Sequence, residues 1–152
     1  MSLKENIKRS EGFRDRTYLC TQGIPTIGYG FRISSLTEDE LAHNGGIVDP
    51  MPRENAEKIL DIKLEKLKKT VLSKLPWLSE KPEEIQDVVF EMGYQLGISG
   101  LLSFKNTLKL IQDSRYREAA DNMLLSKWAK QAPNRVKLLA SIVRNFGSTK
   151  LL

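Results

Sequence analysis

Glu11, Cys20 and Thr26 are the residues whose types and spacing first suggest chemistry. A carboxylic acid can hand a proton to a leaving oxygen, while polar side chains on the far side orient or deprotonate a water. Glu11 falls at the end of an N-terminal helical stretch. Cys20 and Thr26 fall on β-prone segments or on the turn that joins them. Three polar groups from a helix end and a hairpin can converge on one point, as cleavage of a glycosidic bond requires. Spacing by itself leaves open that Glu11 is an ordinary surface carboxylate.

Other catalytic chemistries are harder to build. One cysteine forbids an intrachain disulfide and a cysteine-built zinc site. The single histidine, His43, lies in the turn-like stretch Leu41-Ala42-His43-Asn44-Gly45-Gly46 and reads as a solvated loop residue. Zinc hydrolysis usually needs two or three histidines, and Ser-His or Cys-His catalysis needs a placed base. No metal and no cofactor is expected.

The elements that must position these residues follow from patterning. Ser2-x-x-Glu5 has the capping-box form and opens a short helix with Leu3 and Ile7 on one side. Thr17-Tyr18-Leu19 and Thr26-Ile27-Gly28-Tyr29-Gly30-Phe31 are β-prone and split by Gln22-Gly23-Ile24-Pro25, predicting a small antiparallel sheet. Thr37-x-x-Glu40 caps another short helix. Pro52 opens a long helix to about Leu75, with Leu60, Leu64, Leu67 and Val71 as its apolar stripe and the nearby lysines as a solvated face. Beyond Pro82 the chain reads as consecutive helices. Ile85, Val88, Val89 and Met92 share one face, further helices begin at Ser103 and around Ala119-Ala120, and a last one starts at Pro133 and stops near Gly147.

The expected fold class is α+β, mainly α, in two lobes forming one domain over residues 1–152. A small antiparallel β lobe spans about 13–51 and a connecting helix about 52–75. A larger helical lobe spans about 76–152 and takes in the N-terminal helix 2–11. A cleft between lobes is the default place for a site.

No apolar run approaches the roughly 20 residues that span a bilayer, and the N-terminus lacks the apolar core of a signal peptide. Synthesis in the cytoplasm without stable membrane insertion is therefore expected. The net charge of +5 is uneven: residues 102–152 carry 10 basic and 3 acidic side chains. Such a balance suits a polyanionic partner, whether nucleic acid, membrane surface or wall polymer, and equally a merely soluble surface.

The motif around Glu11 resembles the phage-type lysozymes of glycoside hydrolase family 24, the T-even-phage group. Their catalytic pattern is Glu, eight residues, Asp or sometimes Cys, five residues, Thr. Glu11, Cys20 and Thr26 match it without a gap. The likeness continues in Val89-Phe90-Glu91-Met92-Gly93, Gly97, Phe104-Lys105-Asn106-Thr107-Leu108 and Ala119-Ala120-Asp121-Asn122. It resumes from Ser126 to Arg135 and is weakest over residues 33–80.

The resemblance implies a lysozyme-like fold and hydrolysis of the β-1,4 bond between N-acetylmuramic acid and N-acetylglucosamine in bacterial peptidoglycan, with inversion. By that carry-over Glu11 is the general acid, and Cys20 and Thr26 stand on the water side. Arg32, Phe90, Thr107 and Asn122 occupy sugar-contacting positions, and Arg135 matches an arginine that pairs with the catalytic glutamate. Three positions depart from the pattern: a thiol at Cys20 where an aspartate is commoner, Phe31 for a histidine, and Glu91 for a glutamine.

The reading that follows is a monomeric endolysin, held in the host bacterial cytoplasm until a holin admits it to the wall. A competing reading is a lysozyme-fold module that binds glycan without cutting it, because Cys20 substitutes poorly for aspartate. A nucleic-acid-binding protein explains the charge alone and leaves Glu11 and Asn122 idle, so no nucleic acid is expected.

Overall fold

Ser2 Oγ accepts the Glu5 backbone N–H at 3.2 Å, and the chain then winds into α1, Leu3–Glu11. Leu3 and Ile7 are its buried residues, the face the apolar spacing picks out. Gly12 ends the helix at a positive φ, sending its N–H back to Lys8 O and leaving Glu11 as the last helical residue. The computed structural model describes residues 2–150, with side chains through Phe146.

Contacts divide the chain into two units, Met1–Lys66 and Leu67–Leu152. In the first, β1 (Arg14–Leu19), β2 (Pro25–Gly28) and β3 (Phe31–Arg32) form an antiparallel sheet in sequence order. Arg14 faces Gly28 and Tyr18 faces Thr26, so β1 takes four steps where β2 takes two. This bulge turns the Asp15–Thr17 backbone toward the segment after it. Met51 N–H donates to Asp15 O at 2.9 Å, and Thr17 N–H donates to Asp49 Oδ2 at 2.9 Å.

The short helix α2, Glu38–Leu41, carries the full reciprocal cap from Thr37 and Glu40 that the sequence predicts. The Glu40 side chain is only 3% exposed and is held by Lys63 at 3.2 Å and Lys66 at 3.5 Å. His43 is exposed in the following turn.

The long helix α3 runs Arg53–Lys74. It starts one residue later than the proline rule suggests, because Pro52 O accepts the N–H groups of Asn55 and Ala56 and so caps the first turn. The boundary between the units falls within it. The N-terminal helix, expected with the helical lobe, belongs to the first unit: Lys8 pairs with Glu57 at 2.9 Å and Lys4 with Asp61 at 2.9 Å, both on α3.

The second unit is helical: α4 (Glu83–Leu102), α5 (Lys105–Gln112), α6 (Tyr116–Leu124), α7 (Lys127–Gln131) and α8 (Pro133–Lys150). Its buried side chains include Ile85, Val88, Val89, Met92, Ile111, Ala119, Ala120, Val136, Leu139 and Val143, the periodic apolar residues of the sequence. Two boundaries differ from expectation. Ser103 closes α4, its N–H returning to Ser99 and Gly100, so the next helix waits until Lys105. α8 continues past Gly147. A break the periodicity does not reveal occurs within α4, where Gly97 takes φ 76° and ψ 168°. No described helix is long and apolar enough to cross a membrane.

Candidate active site

The first unit brings four of the sequence-selected residues together around its sheet. Thr26 sits on the central strand, opposite Tyr18 on β1 and Arg32 on β3. Directly opposed residues project from the same face, so Tyr18, Thr26 and Arg32 form one row across the sheet. Thr26 is 3% exposed, and its hydroxyl donates to Ile24 O at 2.8 Å. Its single hydrogen is thereby used, and what Oγ1 offers the site is its acceptor capacity.

Cys20 follows the first strand and begins the turn. Its N–H donates to Ile24 O at 3.0 Å, and its carbonyl accepts Gly23 N–H at 2.8 Å. Hydrogen bonds from the backbone at Ile24 and Gln22 hold the thiol below its usual pKa of 9.0. Partial burial opposes them, and the Arg32 charge acts in the same downward direction. Arg32 is itself steadied by Gln22, its Nη2 lying 3.4 Å from Oε1.

Glu11 meets the turn between β2 and β3. A Cβ placed on Gly30 would lie 2.3 Å from Glu11 Oε2 and 2.8 Å from its Cδ, so the carboxylate rests against the Gly30 backbone. The Tyr18 phenol registers both flanking groups. Burial raises its pKa first, the charges of Glu11 and Cys20 raise it further, and the Arg14 guanidinium, 4.7 Å from the ring centre, opposes them. Glu11, Tyr18, Cys20 and Thr26 thus share one electrostatic neighbourhood. Tyr18 and Gly30 are neighbours of Glu11 that motif spacing does not mark. The strand period would have found Tyr18, since it stands two residues before Cys20.

The turn carrying Gly30 is braced from behind. Tyr29, 1% exposed, packs against Phe13 at 5.3 Å and Phe31 at 6.4 Å between ring centres. The Arg53 guanidinium at the start of α3 covers Phe13 at 4.6 Å, with Nη1 lying 3.5 Å from the Tyr29 hydroxyl.

The remaining predicted residues lie in the second unit. Thr107, 1% exposed, donates to Asn122 Oδ1 at 2.8 Å, and both line a cavity of about 480 Å³ with Ser103, Phe104, Leu125 and Trp128. Lys105 and Lys127 stand at the same cavity. Phe90 is elsewhere: it is 3% exposed, lies under the Lys68 ammonium at 5.8 Å and does not line this cavity. Arg135 gives its Nε–H to Glu91 Oε2 at 3.2 Å.

Thr26 and Cys20 therefore lie on and beside the sheet whose β2–β3 turn carries the Glu11 carboxylate. Residues 8–145 match the family model described as phage lysozyme. Two curated relatives come from Dictyostelium discoideum. "Probable T4-type lysozyme 1" is 29% identical over 159 residues, covering 93% of each chain. "Probable T4-type lysozyme 2" is 26% identical over 157 residues, covering 93% of this chain and 92% of its own. With residues 8–145 matched, nearly the whole chain, the chain belongs to the phage lysozyme family.

Proposed function

We propose that this chain is a muramidase. It cleaves the β-1,4 bond between N-acetylmuramic acid and N-acetylglucosamine in bacterial peptidoglycan by single displacement. The observation that supports the reading is that the Glu11 carboxylate rests on the β2–β3 turn of the small sheet that carries Thr26 and adjoins Cys20, in a chain of this family. Glu11 delivers its proton to the glycosidic oxygen as that oxygen leaves the anomeric carbon. A water on the opposite face adds to the same carbon. It donates one hydrogen bond to Thr26 Oγ1, whose own proton is committed to Ile24. Cys20 positions this water together with Thr26, and the water's proton is released to solvent as its oxygen bonds to the carbon. The sugar product then carries inverted configuration.

In the same reading Thr107 and Asn122 hold an N-acetyl sugar, Arg32 and Phe90 contact others, and Arg135 supports the site. The biological setting is lysis of a bacterial host, with the enzyme waiting in the cytoplasm until a holin opens the way to the wall.

The test is reducing-end release from purified peptidoglycan, with product masses to locate the cut and NMR to read the first-formed anomer. Glu11→Gln keeps the fold and lowers turnover by about 10³-fold or more. A folded Glu11→Gln protein within tenfold of wild type removes Glu11 from the mechanism. Binding without release in the unaltered protein makes this a glycan-binding module instead.

A further inference from the structure

Gly30 lies in the turn after β2 at φ 75°, and it is where the Glu11 side chain comes to rest. Backbone conformation explains a glycine at several positions of this chain. Gly45, at φ 65°, is one, and a Cβ there would meet nothing within 4 Å. At Gly30 a second constraint is added. A Cβ would stand 2.3 Å from Glu11 Oε2, 2.8 Å from Cδ and 3.2 Å from Cγ, so three atoms of one side chain lie across the missing methyl.

The turn is not free to yield. Tyr29, the preceding residue, is buried among Phe13 and Phe31 and lies beside Arg53. Phe31, the following residue, is 2% exposed and paired with Ile27 in the sheet. The C-terminal end of α1 is fixed as well, through Lys8 and its 2.9 Å pairing with Glu57. Backbone above and below is held, so any side chain at position 30 must be accommodated by moving the carboxylate.

We propose that Gly30 is a positioning residue for Glu11. Its bare Cα is the seat that sets where the acid's oxygens stand relative to Thr26 and Cys20. This rests on Glu11 being the general acid, and it makes the identity of residue 30 a determinant of turnover rather than of glycan affinity. A displacement of about 1 Å at the reacting atoms is enough to cost on the order of 10²-fold in rate.

The experiment compares Gly30→Ala with Gly45→Ala, which carries the same left-handed backbone strain without a neighbour to displace. Each is made in the native and in the Glu11→Asp background, where a shorter side chain withdraws from residue 30. Turnover and KM are measured on soluble peptidoglycan fragments across pH. Gly45→Ala should lower the melting temperature and leave kcat within about twofold. Gly30→Ala should lower kcat by about 30-fold or more with KM within about threefold, and should shift the pH limb that reports the acid. In the Glu11→Asp background the same change should cost less than about threefold further. A folded Gly30→Ala protein with wild-type kcat, or an equal loss in both backgrounds, overturns the proposal.

If Gly30→Ala does not fold, Glu11→Ala added to it should restore the stability of Gly45→Ala. Failure to restore it also overturns the proposal. Glu11→Gln separates this inference from the reading beneath it. An inactive Glu11→Gln beside an active Gly30→Ala refutes the positioning role alone, whereas an active Glu11→Gln refutes the acid assignment.

Discussion

Arg135 and Glu91 form an ion pair inside the second unit, 3.2 Å apart, with side chains 11% and 3% exposed. Both charges are largely out of water, so each contributes to keeping the other's burial tolerable. Glu91→Ala should destabilise the protein by about 3 kcal/mol, because a guanidinium is left buried without this carboxylate. Glu91→Gln keeps an acceptor and should cost less than half as much. Urea midpoints for the two variants decide the matter, and equal losses would show that the charge contributes nothing.

Stability should fall in acid, and the first unit should account for much of the loss. Burial raises the pKa of Glu40, but the Thr37 N–H, Lys63 and Lys66 outweigh it and leave the carboxyl lowered. The Thr37 hydroxyl and Lys66 hold Asp39 at about 2, and Lys8 lowers Glu57. A depressed folded pKa gives stability that is fully present above the unfolded value of about 4 and is lost as pH falls through the folded one. Asp39 is exposed, so solvent screens its share. Denaturation free energies measured from pH 7 to pH 2 should decline below about pH 4.5, and Glu40→Gln should flatten that decline.

Cys20 should react as a thiol of lowered pKa. The pH midpoint of its alkylation by iodoacetamide should lie below the ordinary 9.0, since backbone N–H groups favour the thiolate. Arg32→Gln should raise that midpoint. If Cys20 positions the water, Cys20→Ala should lose about tenfold or more in turnover, while Cys20→Asp retains activity. An alanine variant with wild-type turnover would leave the water side to Thr26 alone.

With Oδ1 engaged by Thr107, Asn122 has its Nδ2 hydrogens left to offer an acceptor on a bound sugar. Asn122→Ala should weaken glycan binding by about tenfold, the equivalent of one hydrogen bond, with a smaller effect from Thr107→Val. Trp128 lines the same cavity, so its fluorescence offers a direct titration of N-acetylglucosamine oligomers. Unchanged dissociation constants in both variants would remove this cavity from the sugar-binding surface.

Much of this was legible from residue order. Local rules placed the capped ends of α1 and α2, the hairpin around Gln22-Gly23 and the buried faces of α4 and α8, because capping and period depend on near neighbours alone. The motif Glu11, Cys20, Thr26 was legible as spacing. Its surroundings were not. Tyr18 enters through strand register, and register here includes a bulge that no composition announces. Gly30 enters through a contact with a residue 19 positions earlier, visible only once α1 and the turn meet. The pairing of Arg135 with Glu91 spans 44 positions and depends on how α4 and α8 pack. The break at Gly97 is a property of its backbone, which apolar periodicity does not register.

The bulge in β1 has a consequence for how copies of the protein meet one another. β1 is an outer strand, and an outer strand offers unpaired amides and carbonyls to any passing chain. Here the bulge hands Thr17 N–H to Asp49 and Asp15 O to Met51, while Arg14, Asp15 and Arg16 line the rim with charge. Part of this outer strand is therefore covered by a carboxylate latch. That latch is itself titratable, for the Thr17 N–H is what chiefly lowers the Asp49 pKa. Protonation of Asp49 in strong acid weakens that hydrogen bond and so loosens the cover over this margin of β1.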